Sequence, residues 1–189
     1  MAKARAASQL VMCVVLLALA VTGCSGHRER VTSGGPLACP RCQGDAAMPM
    51  DVGKLGTYGA ANLQNHGQSP VVLEGVAYLH RTPGFLLLGP IVAKNSGVGL
   101  IREFPPHQLR GKLNTLAGAT VRPFHDIEDD LDVLVGVSPL REGAFSYSGL
   151  KVYYRVGRKH YVVTFDEGVR VCAPASVPLS KCQPPASIK

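Results

Sequence analysis

The sequence predicts an all-β protein, an antiparallel β-sandwich, and three observations carry that expectation. From Thr57 onward the chain breaks into short runs rich in Val, Tyr, Leu and Ile, interrupted about every ten residues by Gly, Pro, Asn or Asp. In the clearest runs apolar and polar residues alternate with the period of two that a half-buried strand requires. No segment sustains the 3.6-residue period of a helix.

In chain order, strands are expected over residues 57–63, 70–80, 85–94, 98–103, 119–121 and 131–139. Between them, residues 106–116 form the best helical candidate, which Gly111 weakens by about 1 kcal/mol relative to Ala. The strand over 150–156 is the most explicit. Leu150, Val152, Tyr154 and Val156 share one face while Lys151 and Arg155 point the other way, so one face is core and the other is wet. Gly157 and Arg158 then make a tight turn into residues 159–165, whose inward face is Tyr161, Val163 and Phe165. Asp166, Glu167 and Gly168 are expected to turn again into 169–172, so that two successive hairpins close the domain.

The beginning of the chain carries an address. Basic Lys3 and Arg5 precede an apolar stretch over 10–21, which is too short for a spanning helix of about 20 residues and fits the core of a secretion signal. It runs into Val21, Thr22, Gly23 and Cys24, and this motif resembles the lipobox of bacterial lipoproteins. That resemblance implies a diacylglyceryl thioether on Cys24 and cleavage just before it. Two acyl chains, each buried methylene contributing about 0.8 kcal/mol, anchor a protein durably. The expected organisation is a signal peptide over 1–23, lipidated Cys24 and a flexible tether over 24–50, the sandwich over 51–174 and a C-terminal tail over 175–189. The tether reading rests on residues 25–50, which are rich in Gly, Pro, Ser and charge and show almost no apolar periodicity. The expected location is the extracytoplasmic face of the cell membrane.

Charge argues against a nucleic-acid partner. The formal +7 falls to +5 without Lys3 and Arg5, and the remaining basic residues are scattered rather than gathered into a patch that tracks phosphates. Of six cysteines, Cys13 leaves with the signal and Cys24 takes the lipid, which leaves Cys39, Cys42, Cys172 and Cys182. In an exported chain these predict disulfides. Bridges from the Cys39/Cys42 segment to the Cys172/Cys182 segment are favoured, because a long closed loop restricts the unfolded chain by about 4 to 5 kcal/mol. The competing pairing is local, Cys39 with Cys42 and Cys172 with Cys182.

A second resemblance begins at Asn65, His66, Gly67, Gln68, Ser69, Pro70, Val71, Val72 and Leu73, where a polar Gly turn leads into a Pro-opened strand. With the strands that follow, the stretch over 57–172 resembles Ig-like domains of secreted lipoproteins from high-GC bacteria. The resemblance implies an Ig-like sandwich and brings no functional residues with it.

Cys39, Pro40, Arg41 and Cys42 have the spacing of thiol-disulfide oxidoreductases, but no strand-helix unit surrounds them, so a structural disulfide is expected. Half a zinc site would need a second closely spaced pair, and Cys172 and Cys182 stand too far apart. Met48, Met50 and the histidines His66, His80, His107, His125 and His160 raise copper handling, since thioether and imidazole suit that metal. Small exported copper chaperones are also sandwiches, yet no methionine follows Met50 here, so tether methionines and scattered histidines are expected. Residues 125–132 hold five of the thirteen acids, Asp126, Glu128, Asp129, Asp130 and Asp132, without the spacing of a calcium loop; a solvated acidic loop guarding a strand is expected. Tyr147, Ser148 and Gly149 lack the nucleophile-elbow pattern, and no Gly-rich phosphate loop is present. No catalytic residue, metal ligand or cofactor is assigned. The sequence thus points to a lipid-anchored binding or assembly module of the cell envelope, with an envelope protein or wall polymer as partner. The alternatives are an extracytoplasmic copper carrier and a thiol-disulfide oxidoreductase.

Overall fold

The computed structural model describes residues 32–42 and 46–182. The expected signal peptide over 1–23, the expected lipidation site Cys24 and residues 183–189 of the expected C-terminal tail lie outside the described residues. Among the described residues fourteen strands run in the order β1 (Thr32–Ser33), β2 (Leu37–Ala38), β3 (Ala46–Pro49), β4 (Gly56–Asn65), β5 (Val71–Leu79), β6 (Phe85–Lys94), β7 (Leu100–Ile101), β8 (Asn114–Thr115), β9 (Thr120–Val121), β10 (Leu131–Pro139), β11 (Gly143–Tyr147), β12 (Gly149–Val156), β13 (Lys159–Phe165) and β14 (Val169–Ala173). Among the described residues the only helical elements are three-residue 3-10 turns at His107–Leu109, Ile127–Asp129 and Leu179–Lys181. None is long and apolar enough to cross a membrane.

The all-β sandwich expected from the sequence is the fold found. One sheet has the order β1-β13-β12-β5-β9, a second the order β2-β4-β10-β6-β8 with β7 added on β4, and a small third sheet the order β11-β14-β3. Leu73 of β5 and Leu150, Val152 and Tyr154 of β12 share one core with Leu63 of β4 and Val133, Val135 and Val137 of β10. Burial of these aliphatic faces is the main favourable term, about 25 cal/mol for each Å² of apolar surface removed from water.

The central strand β10 departs from alternation because both of its faces are covered. Val133 and Val135 face the main core, whereas Leu134 joins Ala93, Val98 and Leu109 in a second cluster on the outer side of the sheet. The loop after β6 makes that cover. A side chain at Gly136 would collide with the ring of Phe104, so glycine there lets the covering loop lie flat on the strand.

Three expectations are corrected by this architecture. Within the expected tether, β1 pairs in parallel with β13, β2 pairs with β4 and β3 pairs in parallel with β14. Leu37, Met48 and Met50 are only 4%, 5% and 3% exposed. Short segments without their own periodicity are held here by ladders to distant strands, so the folded unit starts well before residue 51. Secondly, residues 166–168 do not turn a hairpin: β13 pairs with β12 and β1, while β14 pairs with β11 and β3. They carry the chain from one sheet to another. The turn at Gly157 and Arg158 is the tight one expected, with Val156 opposite Lys159 and Gly157 at φ +58°.

Thirdly, the disulfides are local, Cys39 to Cys42 and Cys172 to Cys182. Loop entropy favours long bridges only where the fold brings the partners together, within about 4.4 to 6.8 Å between Cα atoms. Cys39 follows β2 at the edge of the second sheet and Cys172 lies in β14 of the third, whereas the local pairs stand at 5.3 and 5.9 Å. The helical candidate over 106–116 is reduced to the turn at His107–Leu109 and to β8, because Gly111 takes φ +77° and ends any helix there.

Candidate functional site

Where the end of the β4–β10 ladder meets the turn after β2, the surface is indented by a cleft of about 240 Å³. Arg41 and Cys42 form one wall, Gly97, Val98 and Gly99 the opposite one, and Asn62, Asp132 and Glu167 present polar groups between them. A larger hollow of about 350 Å³ beside β6 and β8 carries one charged side chain, Lys94. The cleft is the stronger candidate because it joins two features singled out in the sequence, the Cys39/Cys42 turn and the acidic segment ending at Asp132.

The cleft is built by register. Asn62 of β4 stands directly opposite Asp132 of β10, so the side-chain amide of Asn62 donates to Asp132 Oδ1 at 2.7 Å. The other oxygen, Oδ2, accepts from the Ser96 amide and the Ser96 hydroxyl, both at 2.6 Å, and from the Gly97 amide at 3.3 Å. Asp132 therefore braces the wall formed by the 96–99 segment, and its lone pairs are spent on protein donors rather than offered to calcium. The Asn62 side-chain oxygen is left as a buried acceptor without a partner among the described residues. Glu167 is held from the opposite direction by the Tyr58 hydroxyl, which donates to Oε1 at 2.5 Å. That hydroxyl also sits 3.0 Å from the Gly168 carbonyl.

The wall at Cys39 and Cys42 is a compact turn. The Cys42 amide donates to the Cys39 carbonyl at 3.1 Å, and the disulfide spans the same residues. Both cysteines are half-buried, while Pro40 and Arg41 between them are exposed. The backbone amide of Asn62 points at Cys39 Sγ, 3.2 Å away.

Beneath Glu167 lies a cluster of tyrosines. The Tyr147 ring lies 5.0 Å from that of Tyr78 and 6.3 Å from that of Tyr58. The hydroxyls of Tyr147 and Tyr78 are buried with no partner among the described residues. Burial pushes the Tyr147 phenol well above the usual tyrosine value, with the nearby Tyr78 and Glu167 adding to the shift. Burial likewise moves Tyr78 up to about 12, partly opposed by Arg81.

The remaining sequence candidates are dispersed. Met48 and Met50 are core residues whose methyl groups both come close to Gly56, so the copper alternative loses its thioethers to packing. His66 lies against Phe124, His107 faces Glu103 and His160 contacts Glu74 at 2.9 Å. Among the described residues no three His, Cys, Asp or Glu side chains are grouped to hold a metal. Asp126 caps the Ile127–Asp129 turn through the Glu128 amide, and Asp129 accepts from the His125 amide. These acids shape their own loop and stay apart from the cleft. Ser148 does meet a base the sequence did not pair with it: His80 Nδ1 lies 2.9 Å from Ser148 Oγ at an exposed position. Among the described residues no carboxylate is seen to orient that ring, and the pair sits outside the cleft.

Asn62 and Glu167 are the site residues that sequence reasoning missed. Their faint signal is an amide inside an apolar strand, between Ala61 and Leu63, and a carboxylate inside a connection that crosses between sheets.

No family model and no curated protein matches this chain. Among solved structures it is similar to the VesB protease of Vibrio cholerae, at 11% identity and a TM-score of 0.39. The likeness covers 73% of this chain and 32% of the protease chain, and no residue here takes a role from it.

Proposed function

We propose that the chain is a lipid-anchored lipoprotein on the extracytoplasmic side of the cell membrane, in which the sandwich serves as a binding or assembly module of the envelope. The observation that carries the binding role is the recessed cleft between the disulfide turn and the 96–99 wall, lined by Asn62, Asp132 and Glu167. Polar groups lining a recessed cleft pair with donors on a ligand. Hydroxyl-rich wall polymers supply such donors, and so do protein backbones. Two disulfides fit an oxidising compartment, and the lipobox at Cys24 supplies the anchor.

Two measurements test the two halves of this reading. Labelled palmitate should enter the wild-type chain and not Cys24→Ala; uptake by the variant overturns the anchor. Sedimentation with isolated wall polymer, alongside photocrosslinking from exposed position 41 on the cleft wall in the intact envelope, should give binding that Asn62→Val weakens. If position 41 gives no more crosslinks than exposed Tyr153 on the other sheet, and the polymer does not sediment the protein, the cleft is not a binding site.

A further inference from the structure

The two disulfides among the described residues stand in opposite environments, and the difference points to chemistry. Cys172 and Cys182 are 3% and 1% exposed, sealed in the core beside β14. Cys39 and Cys42 are half-buried in a surface turn with exposed residues between them, and Cys42 lines the cleft. Thiol-disulfide exchange needs an attacking thiolate to reach one sulfur while the other leaves, so access separates a reactive bridge from an inert one. We propose that the Cys39–Cys42 bridge is a thiol-disulfide exchange site that reacts with a dithiol of an exported protein through Cys42.

The two sulfurs are not equivalent. Cys42 faces the cleft, where an incoming thiolate has room to approach. Cys39 Sγ lies 3.2 Å from the Asn62 amide, which has little to stabilise in a disulfide and much more in a thiolate. Arg41, next to both cysteines, adds a cation on the solvent side. Cys39 is therefore the better leaving group and Cys42 the sulfur attacked.

The step balances without a further reactant. A partner thiolate attacks Cys42 Sγ, the bond between Cys42 and Cys39 breaks, and its electron pair leaves on Cys39 Sγ. The partner's second thiolate then attacks its own sulfur in the mixed disulfide and expels the Cys42 thiolate. The two protons of the partner dithiol end on Cys39 and Cys42. One disulfide is formed on the partner as one is reduced here, and the reverse direction uses the same groups. The turn survives the opening because its backbone is held independently, by the Cys42 amide on the Cys39 carbonyl and by the pairing of Leu37 with Asn65 and Ala38 with Gln64.

The test uses the full chain, equilibrated in buffers of reduced and oxidised dithiothreitol, quenched by alkylation and mapped by peptide mass. The expected result is that Cys39 and Cys42 become alkylated while Cys172 and Cys182 stay bridged and the circular dichroism is unchanged. With glutathione as a monothiol, the adduct should be trapped on Cys42 in preference to Cys39. Arg41→Glu should slow the reduction several-fold and Arg41→Lys restore it. The proposal is overturned if both bridges open together, if the first opens only as the fold is lost, or if glutathione lands on Cys39. Neither arm depends on what the cleft binds.

Discussion

The Tyr154 hydroxyl donates to the Gly34 carbonyl at 2.6 Å across 120 residues of sequence. The Tyr154 ring stacks on Tyr161, with centroids 5.4 Å apart and an interplanar angle of 15°. The backbone of Gly34 and Gly35 thus lies on a platform of two phenols from β12 and β13. A Cβ at Gly35 would meet the Tyr154 hydroxyl and the Tyr161 ring, and its φ of +100° suits glycine alone.

Gly35→Ala should therefore destabilise the domain by about 1 to 3 kcal/mol, through strain and loss of the β1 contact together. Tyr154→Phe, which removes only the hydrogen bond, should cost about 1 kcal/mol. Urea unfolding midpoints of the two variants check the order; equal midpoints would show that the first segment does not dock on the tyrosines.

Removing a polar atom should help at Tyr147. Its hydroxyl is buried without a partner among the described residues, so Tyr147→Phe is expected to raise stability, by about 1 kcal/mol, as measured by thermal unfolding. A drop in Tm would reveal a hydrogen bond to that hydroxyl.

The same phenols set the alkaline limit. Tyr78 and Tyr147 titrate higher in the folded chain than the ordinary tyrosine value of 10.0. As pH rises the unfolded chain loses these protons first, so the contribution is whole below pH 10 and is lost from there to about 12 for Tyr78 and beyond for Tyr147. The expected slope is about 1.4 kcal/mol per pH unit for each phenol that ionises only on unfolding. Tyr147→Phe should make that slope shallower, and an unchanged slope would remove Tyr147 from the account.

Asp132 holds the cleft wall. Asp132→Ala leaves the amides of Ser96 and Gly97 and the side chain of Asn62 without their acceptor, at an expected cost of about 2 to 4 kcal/mol. Hydrogen exchange should quicken first at residues 96–98 while the amides of β12 stay protected. Uniform quickening would mean that the wall and the core open as one.

Cross-strand partners on the first sheet should respond unequally to charge. Val152 is fully buried whereas its partner Val163 is half-buried. Val152→Asp should cost several kcal/mol, at least about 3, and Val163→Asp distinctly less, because its carboxylate reaches water. Chemical denaturation of both variants decides it.

Strands that carry their own pattern were legible. Residues 85–94, 131–139 and 159–165 match β6, β10 and β13 in extent, since their apolar content marks them without reference to anything distant. Strands defined by a partner were not: β1 and β3 hold through parallel pairing with β13 and β14, and no local period announces such pairing. β11 has only Phe145 and Tyr147 to signal it. The site divides in the same way. Cys39, Cys42 and Asp132 stood out by residue type, whereas Asn62 acquires meaning only from the register that sets it against Asp132, 70 residues away. Disulfide pairing failed for a related reason, because loop entropy says which bridge is worth most and not which cysteines meet.

The parallel pairing of β1 with β13 and of β3 with β14 also bears on how the chain assembles as it is made. A polypeptide emerges from its amino end, so the strands delivered first find their partners among those delivered last. Thr32–Ser33 and Ala46–Pro49 must wait, unpaired, until β13 and β14 have emerged, and such distant pairing places folding in the slow range of milliseconds to seconds. During that interval the Cys39 and Cys42 turn already has β4 to lean on, and its two thiols are close enough in sequence to be joined.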